Sequence, residues 1–135
     1  MKFSSITTTL TLTIFTTTAL CGGFSESCDL EVGRTTLTGD ASILRSYCKR
    51  TDGEWGEETK LDLDTCLGND DGKLVHRENG DFTENDGCTG MYLRSDLPAI
   101  VYTASCRDFK GDVRWSEIDL NGIITNRDGV LECDT

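Results

Sequence analysis

Asn69-Asp70-Asp71-Gly72-Lys73-Leu74 returns 57 residues later as Asn126-Arg127-Asp128-Gly129-Val130-Leu131. Each copy reads as a hairpin, because glycine accepts positive φ and aspartate tolerates it. A short strand follows each, 73–76 and 130–133. Upstream, Leu61-Asp62-Leu63 matches Ile118-Asp119-Leu120, and Cys48-Lys49-Arg50 matches Cys106-Arg107-Asp108. Phe24-x-Glu26-x-Cys28 matches Phe82-x-Glu84 followed by Cys88. The offsets stay between 57 and 60 residues, so the order holds and only loop lengths drift. Two copies are too few for a solenoid, which usually needs at least ~3 units to bury a continuous core. Two copies closing on one core is the simpler architecture, with repeat 1 at 24–76 and repeat 2 at 82–135. If each half carries a site, the protein has two.

Elsewhere the secondary-structure signals are mostly strand. Stretches 42–48 and 100–106 are short, β-branched or aromatic, and bounded by turn residues. Between Leu61 and Gly68 the apolar spacing supports a single helical turn, and no longer stretch carries a 3.6-residue period. The class is all-β. The halves meet at the polar connector His76-Arg77-Glu78-Asn79-Gly80-Asp81, too short to separate independent domains. The single proline, Pro98, falls in the longer loop of the second half.

Lys2 is the only charge before Glu26, and an apolar, threonine-diluted stretch runs from Ile6 to Leu20. This predicts a secretory signal peptide over 1–22, ending near 21–23, rather than a membrane span, which needs ~20 apolar residues. The expected localisation is therefore secreted and extracellular, with one domain over 23–135. The formal charge of −11 makes nucleic acid and anionic lipid poor partners. Of seven cysteines, Cys21 leaves with the signal or sits at its edge, and six remain as a disulfide framework. Equivalent positions in the repeat pair Cys28–Cys48 and Cys88–Cys106, and exclusion pairs Cys66–Cys133. Zinc is not expected, since neither C-x-x-C nor histidine partners for His76 exist. The acidic segments also miss the register of a calcium loop, so neither metal nor cofactor is implied. His76 reads as a strand residue without a nucleophile to activate. No pair of carboxylates is marked as the proton donor and base of a glycosidase, and the chain is not expected to be an enzyme. Trp55 and Trp115 are expected to fill the core of so small a chain, although exposed rings would also stack on sugars.

These doubled motifs, paired cysteines and half length resemble the cyanovirin-N homology family over Phe24 to Asp134. The resemblance implies a two-lobed, pseudo-symmetric fold of two triple-stranded sheets, with two hairpins exchanged between the repeats and short single-turn helices. It implies a metal-independent lectin for mannose-rich oligosaccharides or glycoproteins, either monomeric or a strand-exchanged dimer. Carried onto this chain, the first carbohydrate pocket comprises Glu26, Ser27, Lys49, Thr51, Asn126, Arg127 and Asp128. The second comprises Asn69, Asp71, Asp81, Thr83, Glu84, Arg107 and Asp108. Such side chains offer the mixed donors and acceptors that adjacent pyranose hydroxyls need.

The chain departs from that pattern in several places. Two extra residues lie within Asn85-Asp86-Gly87, and Phe109 and Gly111 stand where polar contacts would be wanted. Arg127 replaces a typically apolar residue, and Cys66–Cys133 adds a third bridge. An alternative reading is a secreted interaction protein that kept the scaffold and lost sugar binding.

Overall fold

The structure is a computed structural model and describes residues 22–135. The expected signal peptide, up to Cys21, lies outside the described residues. Repeat 1 supplies β1 (Thr36–Thr38), β2 (Ile43–Lys49) and β3 (Trp55–Asp62), which form one antiparallel sheet. Its hairpin follows as β4 (Leu67–Asp70) and β5 (Lys73–His76). Repeat 2 runs in the same order: β6 (Cys88–Asp96), β7 (Ala99–Arg107) and β8 (Val113–Asp119) form the second sheet. Its hairpin is β9 (Ile124–Arg127) and β10 (Val130–Cys133). Single 3-10 turns stand at Phe24–Glu26, Leu63–Thr65, Glu84–Asp86 and Leu120–Gly122. Pro98 sits in the tight β6–β7 turn rather than in a longer loop, since Asp96 already pairs with Ala99.

Strand alternation builds the core. In β2, Leu44, Ser46 and Cys48 face inward, and in β7 the inward set is Ile100, Tyr102, Ala104 and Cys106. Phe24 and Phe82, at matching places in the repeats, are buried in the same apolar cluster. The Phe82 ring meets Tyr102 edge-on at 5.9 Å. The Tyr102 hydroxyl donates to the carbonyl of Ala41 in the other repeat at 2.7 Å. Burial pushes this phenol far above its ordinary range.

Each hairpin packs on the sheet of the opposite repeat. The Leu74 amide of β5 donates to the Ser116 hydroxyl of β8 at 2.8 Å. The Leu131 amide of β10 donates to Thr59 of β3 at 3.1 Å. One lobe is therefore β1–β3 with β9–β10, and the other is β6–β8 with β4–β5. The turn at Leu63–Thr65 reinforces the exchange. Its Asp64 carboxylate accepts the Thr83 amide at 2.9 Å and the Thr83 hydroxyl at 2.5 Å. At the matching place, the Asn121 side chain accepts the Ser25 amide at 2.9 Å.

The tryptophans contradict expectation, because Trp55 is 51 % and Trp115 69 % exposed. The inward position of β8 is taken by Ser116, whose hydroxyl the hairpin amide requires, so its neighbour Trp115 points to the outer face. Trp55 opens β3 opposite Lys49, beyond a register shift between Tyr47 and Lys49.

The disulfides are Cys28–Cys48, Cys88–Cys106 and Cys66–Cys133. The first two each lie inside one repeat. The third joins repeat 1 to repeat 2 across 67 residues of sequence.

Candidate functional site

In the first lobe the β9–β10 turn is built by Asp128 and Gly129, with φ of 50° and 89°. Both central residues at positive φ make the primed turn that matches strand twist. The Asn126 carbonyl oxygen accepts the Gly129 amide at 2.8 Å, which closes the turn from within. Its amide nitrogen donates to the Ser27 hydroxyl and to the Lys49 carbonyl, each at 2.8 Å. Asn126 is thus fully committed to joining three segments far apart in sequence. Asp128 completes the arrangement by accepting the Thr51 amide at 2.9 Å and the Thr51 hydroxyl at 3.0 Å through one oxygen. Its second oxygen makes no hydrogen bond among the described residues.

The Thr51 backbone bond, then the Thr51 hydroxyl bond, hold the Asp128 carboxyl below the usual carboxylate range, with Arg50 adding to the effect. Arg127 is exposed and pairs with Glu132 at 2.9 Å, which takes its guanidinium along the hairpin. Glu26 is exposed, one residue before Ser27. The structure therefore brings together Ser27, Lys49, Thr51, Asn126 and Asp128, with Glu26 and Arg127 at the edge. Trp55 was absent from the expected set. It lies opposite Lys49, whose ammonium sits 5.2 Å from the indole centre. A ring half exposed beside polar side chains is the kind of surface that stacks on a pyranose face.

The second lobe repeats the scaffold with different chemistry. Asp71 and Gly72 take φ of 50° and 86°. Asn69 accepts the Gly72 amide and donates to the Arg107 carbonyl, both at 2.8 Å. Asp71 accepts the Phe109 amide at 2.8 Å, but Phe109 has no hydroxyl to add the second bond that Thr51 provides. Gly87 stands where Ser27 stands, so a second hydroxyl is missing too.

Asp108 is buried and accepts from Arg114 at 2.8 Å and from the Lys110 and Asp112 amides at 2.9 Å. The Arg114 guanidinium, first among these, holds its carboxyl well below the carboxylate range. Asp108 shapes its loop and offers nothing outward. Thr83 is tied to Asp64, and the Asp81 amide bonds the Asp64 carbonyl at 3.0 Å. Of the expected second-pocket residues, Asn69, Asp71, Arg107 and Asp108 gather at the β4–β5 turn. Asp81 and Thr83 instead belong to the Asp64 latch, and Glu84 is exposed in the turn after it.

Among the described residues, no three His, Cys, Asp or Glu side chains cluster as a metal site. None of the described helices is long and apolar enough to cross a membrane.

The family model for the CVNH domain matches residues 24–132, with a further match over 10–75. The chain belongs to the CVNH family. A designed cyanovirin-N homologue lectin, LKAMG, superposes with a TM-score of 0.70 at 27% identity, covering 83% of this chain and 99% of that one. The CVNH protein of Gibberella zeae gives 0.68 at 27% identity, with 84% and 99% covered. Microvirin, in its mannobiose complex, gives 0.65 at 29% identity, with 83% and 98% covered. No curated protein sequence matches the chain.

Proposed function

We propose that this CVNH protein is a secreted lectin that binds mannose-type oligosaccharides without a metal and without catalysis. One observation carries the reading: Thr51 and Asp128, 77 residues apart in sequence, bond to each other beside Asn126. The result is a shallow, prearranged set of carboxylate, hydroxyl and backbone groups with Trp55 at its flank. Such a set suits vicinal sugar hydroxyls. The mannobiose complex of microvirin supports the choice of sugar. Three disulfides support an oxidising, extracellular compartment.

A single first-lobe site binds a monosaccharide weakly. Tight binding requires one glycan to engage more than one site, where effective concentration multiplies affinity. Calorimetric titration with mannobiose and longer oligomannosides tests the reading, and no heat or spectral response to any of them at millimolar sugar rejects it. A second reading, a glycan-blind interaction protein on the same scaffold, draws support from Phe109, which is 85 % exposed where the first lobe has Thr51. An intact fold that ignores all sugars and captures a protein through Phe109 would favour that reading.

A further inference from the structure

The two residues that break the symmetry of the repeats flank a cavity, and the second of them lines it. Phe24 and Cys28 are four positions apart, whereas Phe82 and Cys88 are six apart. The backbone locates the extra pair. The Lys49 amide bonds the Ser27 carbonyl at 2.8 Å, and the Arg107 amide bonds the Gly87 carbonyl at 2.7 Å. Ser27 and Gly87 are therefore equivalent, and the insertion is Asn85-Asp86. Both inserted residues take left-handed conformations, with φ of 55°.

Beyond this loop lies a cavity of about 330 Å³ at the boundary of the two repeats. Asp40 and Ser42 line it from repeat 1, and Asp86, Cys88, Thr89 and Met91 line it from repeat 2. At the matching place on the other side, the Ser25 hydroxyl donates to the Pro98 carbonyl at 3.3 Å and ties the segments together. Thr83, the counterpart of Ser25, gives its hydroxyl to Asp64 instead. No bond then draws it to Asp40, the counterpart of Pro98.

We infer that this cavity is a third saccharide subsite, receiving one neutral hexopyranose unit; the inference rests on the lectin reading above. The volume lies at the lower end of small-molecule sites, ~300–1,000 Å³, which suits a single sugar ring. Among the described residues, the side chains of Asp40, Ser42, Asp86 and Thr89 make no hydrogen bond or ion pair. Two carboxylates and two hydroxyls are thus left to face sugar hydroxyls. Met91 and Cys88 add apolar lining that a ring's C–H face can meet. Two aspartates disfavour sialylated or phosphorylated sugars, so the occupant is neutral. The inserted loop also flanks the second-lobe turn, because Gly87 and Arg107 both offer carbonyls to the Asn69 amide, at 3.5 and 2.8 Å. One oligosaccharide lying across the loop would place one unit in the cavity and its neighbour against that turn.

Amide-resolved NMR titration of the disulfide-bonded protein with mannobiose tests this. The expected result is a set of shifts at Ser42, Thr89, Gly90 and Met91, separate from the set at Thr51 and Asp128. The cavity set persists in Thr51→Val/Asp128→Asn. It weakens about tenfold in Asp86→Ala, the loss expected for one charge-assisted hydrogen bond. Deleting Asn85-Asp86 restores the spacing of the first repeat and removes the set; Asp86→Ala and Ser42→Ala decide the matter if that deletion fails to fold. Shifts confined to Thr51 and Asp128 overturn the third subsite and leave the lectin reading standing. No shifts anywhere reject both. Calcium alone producing the cavity shifts reassigns it to a cation and overturns the proposal.

Discussion

In the proposed first-lobe site, Thr51 and Asp128 keep more bonding capacity for a sugar than Asn126 does. Every polar atom of the Asn126 side chain is bonded within the protein, so Asn126→Ala should loosen the hairpin as well as the site. Thr51→Val keeps the shape and the backbone bond to Asp128 while removing only the hydroxyl. It should weaken mannobiose by about tenfold, the share of one or two hydrogen bonds, with little change in thermal midpoint. Calorimetry paired with thermal unfolding checks this, and a large loss of stability without loss of affinity would refute the assignment. Acid gives a second test. The Asp128 carboxyl lies below its unfolded value, so its contribution is fully present above the unfolded pKa. That contribution is lost only as pH falls through the depressed folded value. The Thr51 amide shift should therefore stay constant through the range where ordinary aspartates titrate and move only in stronger acid. Movement of that resonance together with the bulk of the exposed carboxylates would remove Asp128 from the role.

The β3 and β8 strands show what the sequence disclosed and what it withheld. Only their last residues were marked in the duplication, by Leu61-Asp62 and Ile118-Asp119, whereas the Asp-Gly turns were fully readable, because turn chemistry is local and glycine at positive φ leaves a direct mark. The orientation of Trp55 and Trp115 was not readable. It depends on a register shift opposite Cys48 and on which neighbour a hairpin from the other repeat needs facing inward. The second-pocket residues scatter for a related reason. Thr83 and Asp108 have residue types suited to sugars, yet Asp64 and Arg114 claim them, and neither partner is adjacent in sequence. Thr59 and Ser116 are the hydroxyls that dock the exchanged hairpins, each accepting a buried amide. Replacing either, by Thr59→Val or Ser116→Ala, leaves an N–H buried without a partner and should cost ~1–3 kcal/mol. The two sites serve opposite lobes and share no contact, so the double variant should show the sum of the single losses in denaturant melts. A neutral outcome for both would mean that the hairpins are held by side-chain packing alone.

The third disulfide constrains how the lobes are shared between chains. Cys28–Cys48 and Cys88–Cys106 sit within single repeats and are indifferent to whether repeat 2 packs on its own repeat 1 or on a partner's. Cys66–Cys133 is different, because it bridges the two repeats across the 77–81 connector. That connector is tied down in the closed form. The Arg77, Asn79 and Asp81 amides bond the Cys66, Thr65 and Asp64 carbonyls at 2.9, 3.0 and 3.0 Å, and His76 meets the Asp134 carbonyl at 2.7 Å. Opening it to exchange repeats with a second chain would carry Cys133 away from its own Cys66, which an intact bridge forbids. Closing a 67-residue loop also removes about 4 kcal/mol of unfolded-state freedom in the chain-entropy account. The oxidised protein should therefore be a monomer that does not interconvert with a dimer at any concentration, as read by size-exclusion chromatography with light scattering. Cys66→Ser/Cys133→Ser should melt earlier and acquire a concentration-dependent, strand-exchanged dimer, while both intra-repeat bridges stay formed. A double-serine variant that remains monomeric at millimolar concentration would show that the connector's own hydrogen bonds suffice. Slow dimer exchange by the fully oxidised chain would show that the bridge is no barrier.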